Sequence, residues 1–340
     1  MKTTPLPKCL LDGRPVASDD AVEHLGSRLA MYGEGCFDTF RCFGGGVMQP
    51  ELHLRRLHEG MSFLGWPVPE ALKDTGAFLK TIGSFLDANG AMDHEVRVRV
   101  QIWSDNRTVG YRPHPPETST SKSRPTPTSP TEALTSAPAS FAPSTRFHIS
   151  GTRLLSEADN GPTGGKSPDS PDAPVIFPPV SLITSRIRRI PAAALPASVK
   201  WTNGINYILA AREAQQRGAD DALMLTVDGY VSETTAANLF WVDAGTIFTP
   251  SDDCDLLPGI TRSVLIDIIR DTGIPLRTGR FEPLVLHQAD AVWMCNSVRE
   301  ICPVTRLDDC RYDAENPVLE QVTLHYENFK HRRLRYVQQA

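Results

Sequence analysis

Lys200 stands in the run SVKWTNGINYILAAREA, among apolar neighbours and just ahead of a stretch with helical periodicity. A lysine drawn out of water loses part of its preference for the charged form, and its amine then serves as a nucleophile or a proton carrier. Glu233, in GYVSETTAANLFW, lies on a strand among small and apolar residues, where a carboxylate needs a cation or hydrogen-bond donors. In LPGITR (257–262) a glycine precedes a helix, whose first backbone N–H groups make a ready phosphate site. Arg56, in HLRRL, offers a guanidinium to the same kind of anion. Taken singly, each residue also has an ordinary reading, as a structural lysine, a hairpin cap, a helix start and a solvated arginine.

Positioning these groups requires more than one layer of structure. The Asp12-Gly13 pair marks a first hairpin, and Cys36–Phe43, the Gly44-Gly45-Gly46 turn and Val47-Met48 mark a second. Pro50–Leu64 reads as an amphipathic helix with Leu54, Leu57, Met61 and Leu64 on one stripe, and Glu70–Asp87 reads as a second helix. His94–Trp103 alternates as a half-buried strand does. After Val180 come a strand, a helix over about Asn203–Arg217, hairpins around Asp228-Gly229 and Ala244-Gly245, and a helix over Ile260–Asp271. Strands at Pro275–Thr278, Ala291–Cys295 and Cys302–Leu307 precede a helix over Pro317–Gln338. Irregular alternation of this kind predicts α+β layers and not a doubly wound sheet.

The 340 residues suit two domains. The expected division is an N-terminal α/β domain at 1–112, a 113–179 segment with a short strand at 145–155, and a C-terminal domain at 180–340. The middle segment holds two stretches dense in Pro, Ser, Thr, Gly and Asp, Arg112–Ser144 and Glu157–Pro179, which read as solvated linkers. A net charge of −5 gives no general attraction to nucleic acid or anionic lipid. The basic runs Arg186–Arg189 and His331–Arg335 read as a solvated strand edge and a solvated helix face. No stretch reaches the ~20 apolar residues of a membrane span, and the N-terminus lacks the apolar core of a signal peptide. Seven scattered cysteines without a C-x-x-C pair indicate neither a metal site nor a disulfide framework, so a cytoplasmic location is expected.

Six segments in order carry a further signal: GEGCFDTFR (33–41), HLRRL (53–57), VKWTNGINYILAAREA (199–214), GYVSETTAANLFW (229–241), LPGITR (257–262) and ADAVWMCNSVREICPV (289–304). Together they resemble the class IV aminotransferases, the fold-type IV enzymes that use pyridoxal 5'-phosphate (PLP). The resemblance implies a two-domain fold-type IV enzyme, a homodimer, and PLP as cofactor. By matching position, Lys200 is the lysine that bonds the cofactor aldehyde and shuttles protons, and Glu233 is the carboxylate facing the pyridine nitrogen. Arg56, the backbone of Ile260 and Thr261, and Ser297 with its neighbour Asn296 match the phosphate cup.

Within that family the choice lies between aminodeoxychorismate lysis and transamination of branched-chain or D-amino acids. GEGCFDTFR, AANLFW and the stretch running to LDD look closer to the lyases, which release 4-aminobenzoate and pyruvate. The branched-chain enzymes usually have Gly-Thr-Ala where Asn296-Ser297-Val298 stands, and the D-amino-acid enzymes have Tyr in place of Phe37. Phe37 and Thr39, two apart on one strand, share a face that suits a substrate, with Val298, Arg107 and Tyr111 as further candidates. The rivals are a branched-chain-type transaminase and a non-catalytic member of the family; joint retention of Lys200, Glu233 and Arg56 speaks against the second.

Overall fold

The computed structural model describes residues 3–105, 110–111, 145–155 and 177–339. They form two compact units. The first is built from the chain up to Leu155, together with Val199–Asn203 and the residues after Leu334. The second is built from residues 177–198 and from Gly204–Leu334. The piece carrying Lys200 therefore belongs with the N-terminal part of the chain, although it lies far along the sequence.

In the first unit β1 (Thr3–Pro5), β2 (Lys8–Leu11), β3 (Arg14–Ala17), β4 (Gly35–Phe43), β5 (Gly46–Met48), β6 (Glu95–Ser104) and β7 (Thr145–Leu154) form an antiparallel sheet. The order is β5-β4-β6-β7-β2-β3; β1 pairs with β7, and a short strand at Leu334–Tyr336 lies outside β5. The alternation in VRVRVQI decides what each face carries. Val96, Val98, Val100 and Ile102 are fully buried, whereas Arg97, Arg99 and Gln101 point the other way. Helices α1 (Arg28–Tyr32), α2 (Pro50–Leu64) and α3 (Thr75–Ala88) follow, and α2 and α3 share the apolar core. Leu54, Leu57 and Met61 of α2 and Phe78, Ile82 and Phe85 of α3 cluster with Phe40 and the inward valines. Gly60 lets α2 approach β4, because a methyl group at that position would meet the Cys36 side chain.

In the second unit β8 (Val180–Thr184), β9 (Asp221–Leu225), β10 (Val231–Thr234), β11 (Asn238–Asp243), β12 (Thr246–Pro250), β13 (Leu276–Gly279), β14 (Ala291–Asn296), β15 (Glu300–Leu307) and β16 (Cys310–Arg311) form a mixed sheet. Its order is β10-β9-β8-β15-β14-β11-β12-β13, and β10 also pairs with β11. That last pairing closes the strands from β10 round to β11 into a ring, packed with Leu182, Leu223, Leu239, Trp241, Val292 and Met294. Helix α4 (Ile205–Gln216) lays Ala210 and Ala214 against Ile183, Ala222 and Met224. Helices α5 (Ile260–Thr272) and α6 (Pro317–Arg333) pack on each other.

Two elements differ from the sequence expectation. The second helix begins at Thr75 and not Glu70, because the Asp74 carboxylate accepts the Ala77 N–H at 2.8 Å and caps it there. The last helix ends at Arg333, where Leu334 turns extended and the chain crosses to the other sheet. The short strand expected at 145–155 is present as Thr145–Leu154, paired with β6 from Thr145 to Arg153. The proline-rich stretches lie mostly outside the described residues.

Candidate active site

In the first unit the main-chain N–H of Phe37 donates to the Lys200 carbonyl at 2.9 Å, and Thr202 N–H donates to Gly35 O at 2.9 Å. Lys200 is thus laced to the start of β4, with its Nζ 5.1 Å from the centre of the Phe37 ring. The cross-strand register sets Phe37 opposite Gln101 and Thr39 opposite Arg99, with His148 and Ser150 next in line on β7. Directly opposed residues point to one face, so these six side chains share it. The Arg99 guanidinium lies 3.5 Å from the Phe37 ring centre and donates to Gln101 Oε1 at 2.6 Å. Gln101 in turn donates to Thr202 Oγ1 at 2.7 Å, two residues from Lys200. Burial and the neighbouring Arg97 pull the Arg99 group down to about 10, which leaves it charged at neutral pH. Burial and Arg99 also lower His148, so its imidazole is neutral there. Among the described residues no carboxylate ion-pairs with Arg99.

The opposite face of β4 carries Asp38, which is fully buried and holds Arg56 and His53 of α2. Tyr111 is 86% exposed, and its ring lies tilted beside that of Tyr32 with centres 5.3 Å apart. Arg107 lies outside the described residues.

In the second unit Glu233 sits on β10 opposite Asn238 of β11. Its Oε1 meets Arg189 at 3.1 Å and the Tyr207 hydroxyl at 3.3 Å. Its Oε2 accepts from Asn238 Nδ2 at 3.2 Å and from the Leu257 N–H at 3.1 Å. Arginine, amide and main-chain N–H are obligate donors, so the ionised, acceptor-only carboxylate is the form this pocket is built for. Burial and the Glu233 charge hold the Tyr207 phenol well above its usual range, and it remains protonated. Asn238 Nδ2 also donates to Leu257 O at 3.0 Å, tying Glu233 to the loop that opens α5. Gly259 ends that loop, and a methyl group there would collide with the Asn238 amide oxygen.

At the start of α5 the Thr261 hydroxyl lies 3.5 Å from that of Ser297. Asn296 shapes the turn that carries Ser297: its Oδ1 accepts from Val298 N–H at 2.9 Å and Arg299 N–H at 2.7 Å, and its Nδ2 donates to Ala236 O at 3.1 Å. Thr261 and Ser297 therefore stand together at the start of α5. Asn206, buried on α4, has neither amide atom in a hydrogen bond among the described residues, which leaves a donor and an acceptor for a bound group.

Sequence reading missed Arg189, Asn238, Tyr207's bond to Glu233, and the Arg99–Gln101 pair. Arg189 is a correction, because the basic run containing it was expected to be a solvated edge. Arg189 is only 5% exposed and donates to Asp255 O as well as pairing with Glu233, while Arg186 in the same run is exposed. The signal available was the sequence ITSRIRRIP, in which β8 ends and the chain must turn inward. Arg99 was legible as one of the polar positions in a strictly alternating strand.

Comparison with known proteins supplies a separate line of observation. Residues 163–307 match the family model described as amino-transferase class IV. The chain is 38% identical over 112 residues to an aminodeoxychorismate lyase of Bacillus subtilis, covering 33% of this chain and 38% of that one. It is 37% identical over 130 residues to branched-chain-amino-acid aminotransferase-like protein 1 of Arabidopsis thaliana, of which it spans 23%. In both cases the match takes in less than half of the relative's length. A branched-chain-amino-acid aminotransferase of Escherichia coli is 25% identical over 301 residues, covering 87% of this chain and 84% of that one. Among solved structures, the branched-chain aminotransferase of Thermoproteus uzoniensis with norvaline matches with a TM-score of 0.74 at 23% identity, over 99% of this chain and 100% of that one. The PLP form of the Thermobaculum terrenum enzyme matches with a TM-score of 0.74 at 19% identity, over 98% and 99%. At these identities the structural likeness is one of fold, and the fold is the α+β arrangement the sequence predicted.

Proposed function

We propose that this chain, whose residues 163–307 match the amino-transferase class IV family model, is a PLP-dependent lyase converting 4-amino-4-deoxychorismate to 4-aminobenzoate and pyruvate. The residues fit the cofactor chemically. Glu233 offers an acceptor-only carboxylate for a protonated ring nitrogen. In the second unit Thr261, Ser297 and the first N–H groups of α5 offer donors for a phosphate; in the first unit, by matched position, Arg56 offers a guanidinium and Lys200 an amine. When bound, PLP supplies an electron-accepting ring next to the carbon that loses its proton.

The observation that carries the choice of lyase is the charge on the sheet face beside Lys200. Arg99, backed by Arg97 and spaced by Gln101 and Thr39, offers a cation to a substrate carboxylate. Aminodeoxychorismate brings two carboxylates, whereas a branched aliphatic side chain would leave that guanidinium desolvated and unanswered. In this reading Arg99 binds a carboxylate, and Phe37 and Thr39 border the ring. Val298, Arg107 and Tyr111 remain candidates for the substrate's outer edge. The Lys200 amine takes the proton from C4 and returns it to the methylene of the departing enolpyruvyl group as the C–O bond breaks. Arg189, Asn238 and Leu257 N–H keep Glu233 ionised and in place throughout.

The second reading, a branched-chain-type transaminase, has its support in the long match to the Escherichia coli enzyme. One assay separates the two. Purified protein with added PLP is given aminodeoxychorismate, and separately leucine with 2-oxoglutarate. Formation of 4-aminobenzoate without leucine turnover supports the lyase; leucine turnover alone overturns it.

We also propose a homodimer. Ile205, Ile208 and Leu209 form an exposed apolar stripe on α4, more than half exposed at the two isoleucines. A monomeric mass in light scattering would end that proposal. Among the described residues no helix is long and apolar enough to cross a membrane, no His/Cys/Asp/Glu group could hold a metal, and a nucleic-acid partner has no support in the charge.

A further inference from the structure

Asp38 is the one carboxylate that β4 sends into the apolar layer beneath α2. It is 0% exposed, and its partners His53 and Arg56 are 1% and 9% exposed, among Phe40, Leu57 and Phe78. Four donors or ring nitrogens converge on it. Arg56 Nη2 donates to Oδ1 at 2.5 Å, as does the Thr39 N–H at 2.6 Å. Arg56 Nε donates to Oδ2 at 3.1 Å, and His53 Nδ1 lies 3.1 Å from the same oxygen. Burial pushes the Asp38 carboxyl up, but the charges and hydrogen bonds of Arg56 and His53 outweigh it and hold it well below the usual carboxylate range.

A buried ion pair of this kind adds little stability over well-packed apolar side chains. What it provides is geometry. The fork uses Nε and Nη2, so the guanidinium plane is fixed and its rotation removed. The remaining nitrogen, Nη1, has no hydrogen-bond partner among the described residues. An arginine pinned on one edge by a buried carboxylate presents a single, pre-oriented donor edge to whatever anion it meets.

We propose that Asp38, steadied by His53, is a positioning residue that fixes Arg56 so that its Nη1 edge holds the phosphate of the cofactor. The proposal rests on the reading of Arg56 as a phosphate ligand, and the two can fail separately.

The test compares binding of PLP and of pyridoxal, which lacks the phosphate, to the full-length apo-protein by quenching of tryptophan fluorescence. The readout is the ratio of the two affinities, which a general loosening of the fold would not change. Asp38→Asn should lower the PLP affinity about tenfold, the size of one charge-assisted hydrogen bond, and leave pyridoxal within about twofold. Arg56→Met should lower the ratio at least as far. An unchanged ratio in Arg56→Met sinks the reading of Arg56, and the proposal with it. A collapsed ratio in Arg56→Met beside an unchanged ratio in Asp38→Asn overturns the proposal alone, as would equal losses of PLP and pyridoxal in Asp38→Asn. Should Asp38→Asn not fold by circular dichroism, His53→Gln keeps the fork but removes one of its supports. It should then lower the ratio about threefold, and no change in ratio would count against the proposal.

Discussion

The two charged sites of this protein are finished to different degrees. Glu233 in the second unit is surrounded by donors from four segments, and each of its oxygens is matched twice. Arg99 in the first unit is half-buried, and among the described residues it is answered by a neutral amide and the face of a phenyl ring. A site for a group that stays can be closed around its charge in advance, since nothing has to leave. A site for a substrate that comes and goes must keep part of its charge uncompensated, and burial makes that charge count for more. On the proposed reading, Glu233 serves the resident cofactor and Arg99 the passing substrate.

Changes at the two sites should therefore fail differently. The largest effect falls on the amine proposed to bond the cofactor: Lys200→Ala should cost about 10³-fold or more in turnover, on the order of what a positioned acid–base group contributes. The visible absorption of the PLP-loaded protein should vanish with it; a retained band would remove Lys200 from the cofactor role. Next is the closed site. Arg189→Met strands a buried carboxylate, and denaturant unfolding should show a loss of about 3–5 kcal/mol. A loss under 1 kcal/mol would show that Glu233 is held without it.

The open site should fail in binding and not in folding. Arg99→Met is expected to raise KM for aminodeoxychorismate by about tenfold to a hundredfold while leaving the unfolding midpoint nearly unchanged. Removal of a half-buried cation with no carboxylate partner among the described residues is not expected to destabilise. A fall in kcat with constant KM would place Arg99 elsewhere in the chemistry.

The smallest effect is one of pH. Because the folded-state pKa of Asp38 is depressed, its contribution to stability is fully present above the unfolded carboxylate value of about 4. It is lost as pH falls from there through the folded value. The stability gap between wild type and Asp38→Asn should thus be widest at neutral pH and shrink below pH ~4. A gap independent of pH between 3 and 7 would mean that Asp38 does not act through its charge.

Local pattern made much of the molecule legible in advance. Pro50–Leu64 and the helix from Ile260 follow from apolar spacing, Pro at the first helical position and Gly before the second. The alternation of VRVRVQIW shows which side of β6 faces the core. Long-range pairing was not legible, because a strand's partner is not written in the strand. Arg189 was read as surface because a short basic run is usually solvated; only a glutamate forty-four positions along the chain makes its burial tolerable. Asp38 beside Arg56 escaped notice for the same reason, since the pair forms only when α2 folds back on β4.

The sequence by itself determined the class of chemistry and the elements that carry it. Six ordered segments, a lysine, a glutamate and a glycine-led helix survive as a pattern because each needs a particular residue type at its own position. Tertiary structure alone decided which charges are answered. Lys200 joins the first unit by main-chain bonds to β4, far from it in sequence. Glu233 is closed by donors from four other segments, and Arg99 is left with none of opposite charge among the described residues. Charge compensation is a matter of distance and dielectric, and both exist only once the chain has folded.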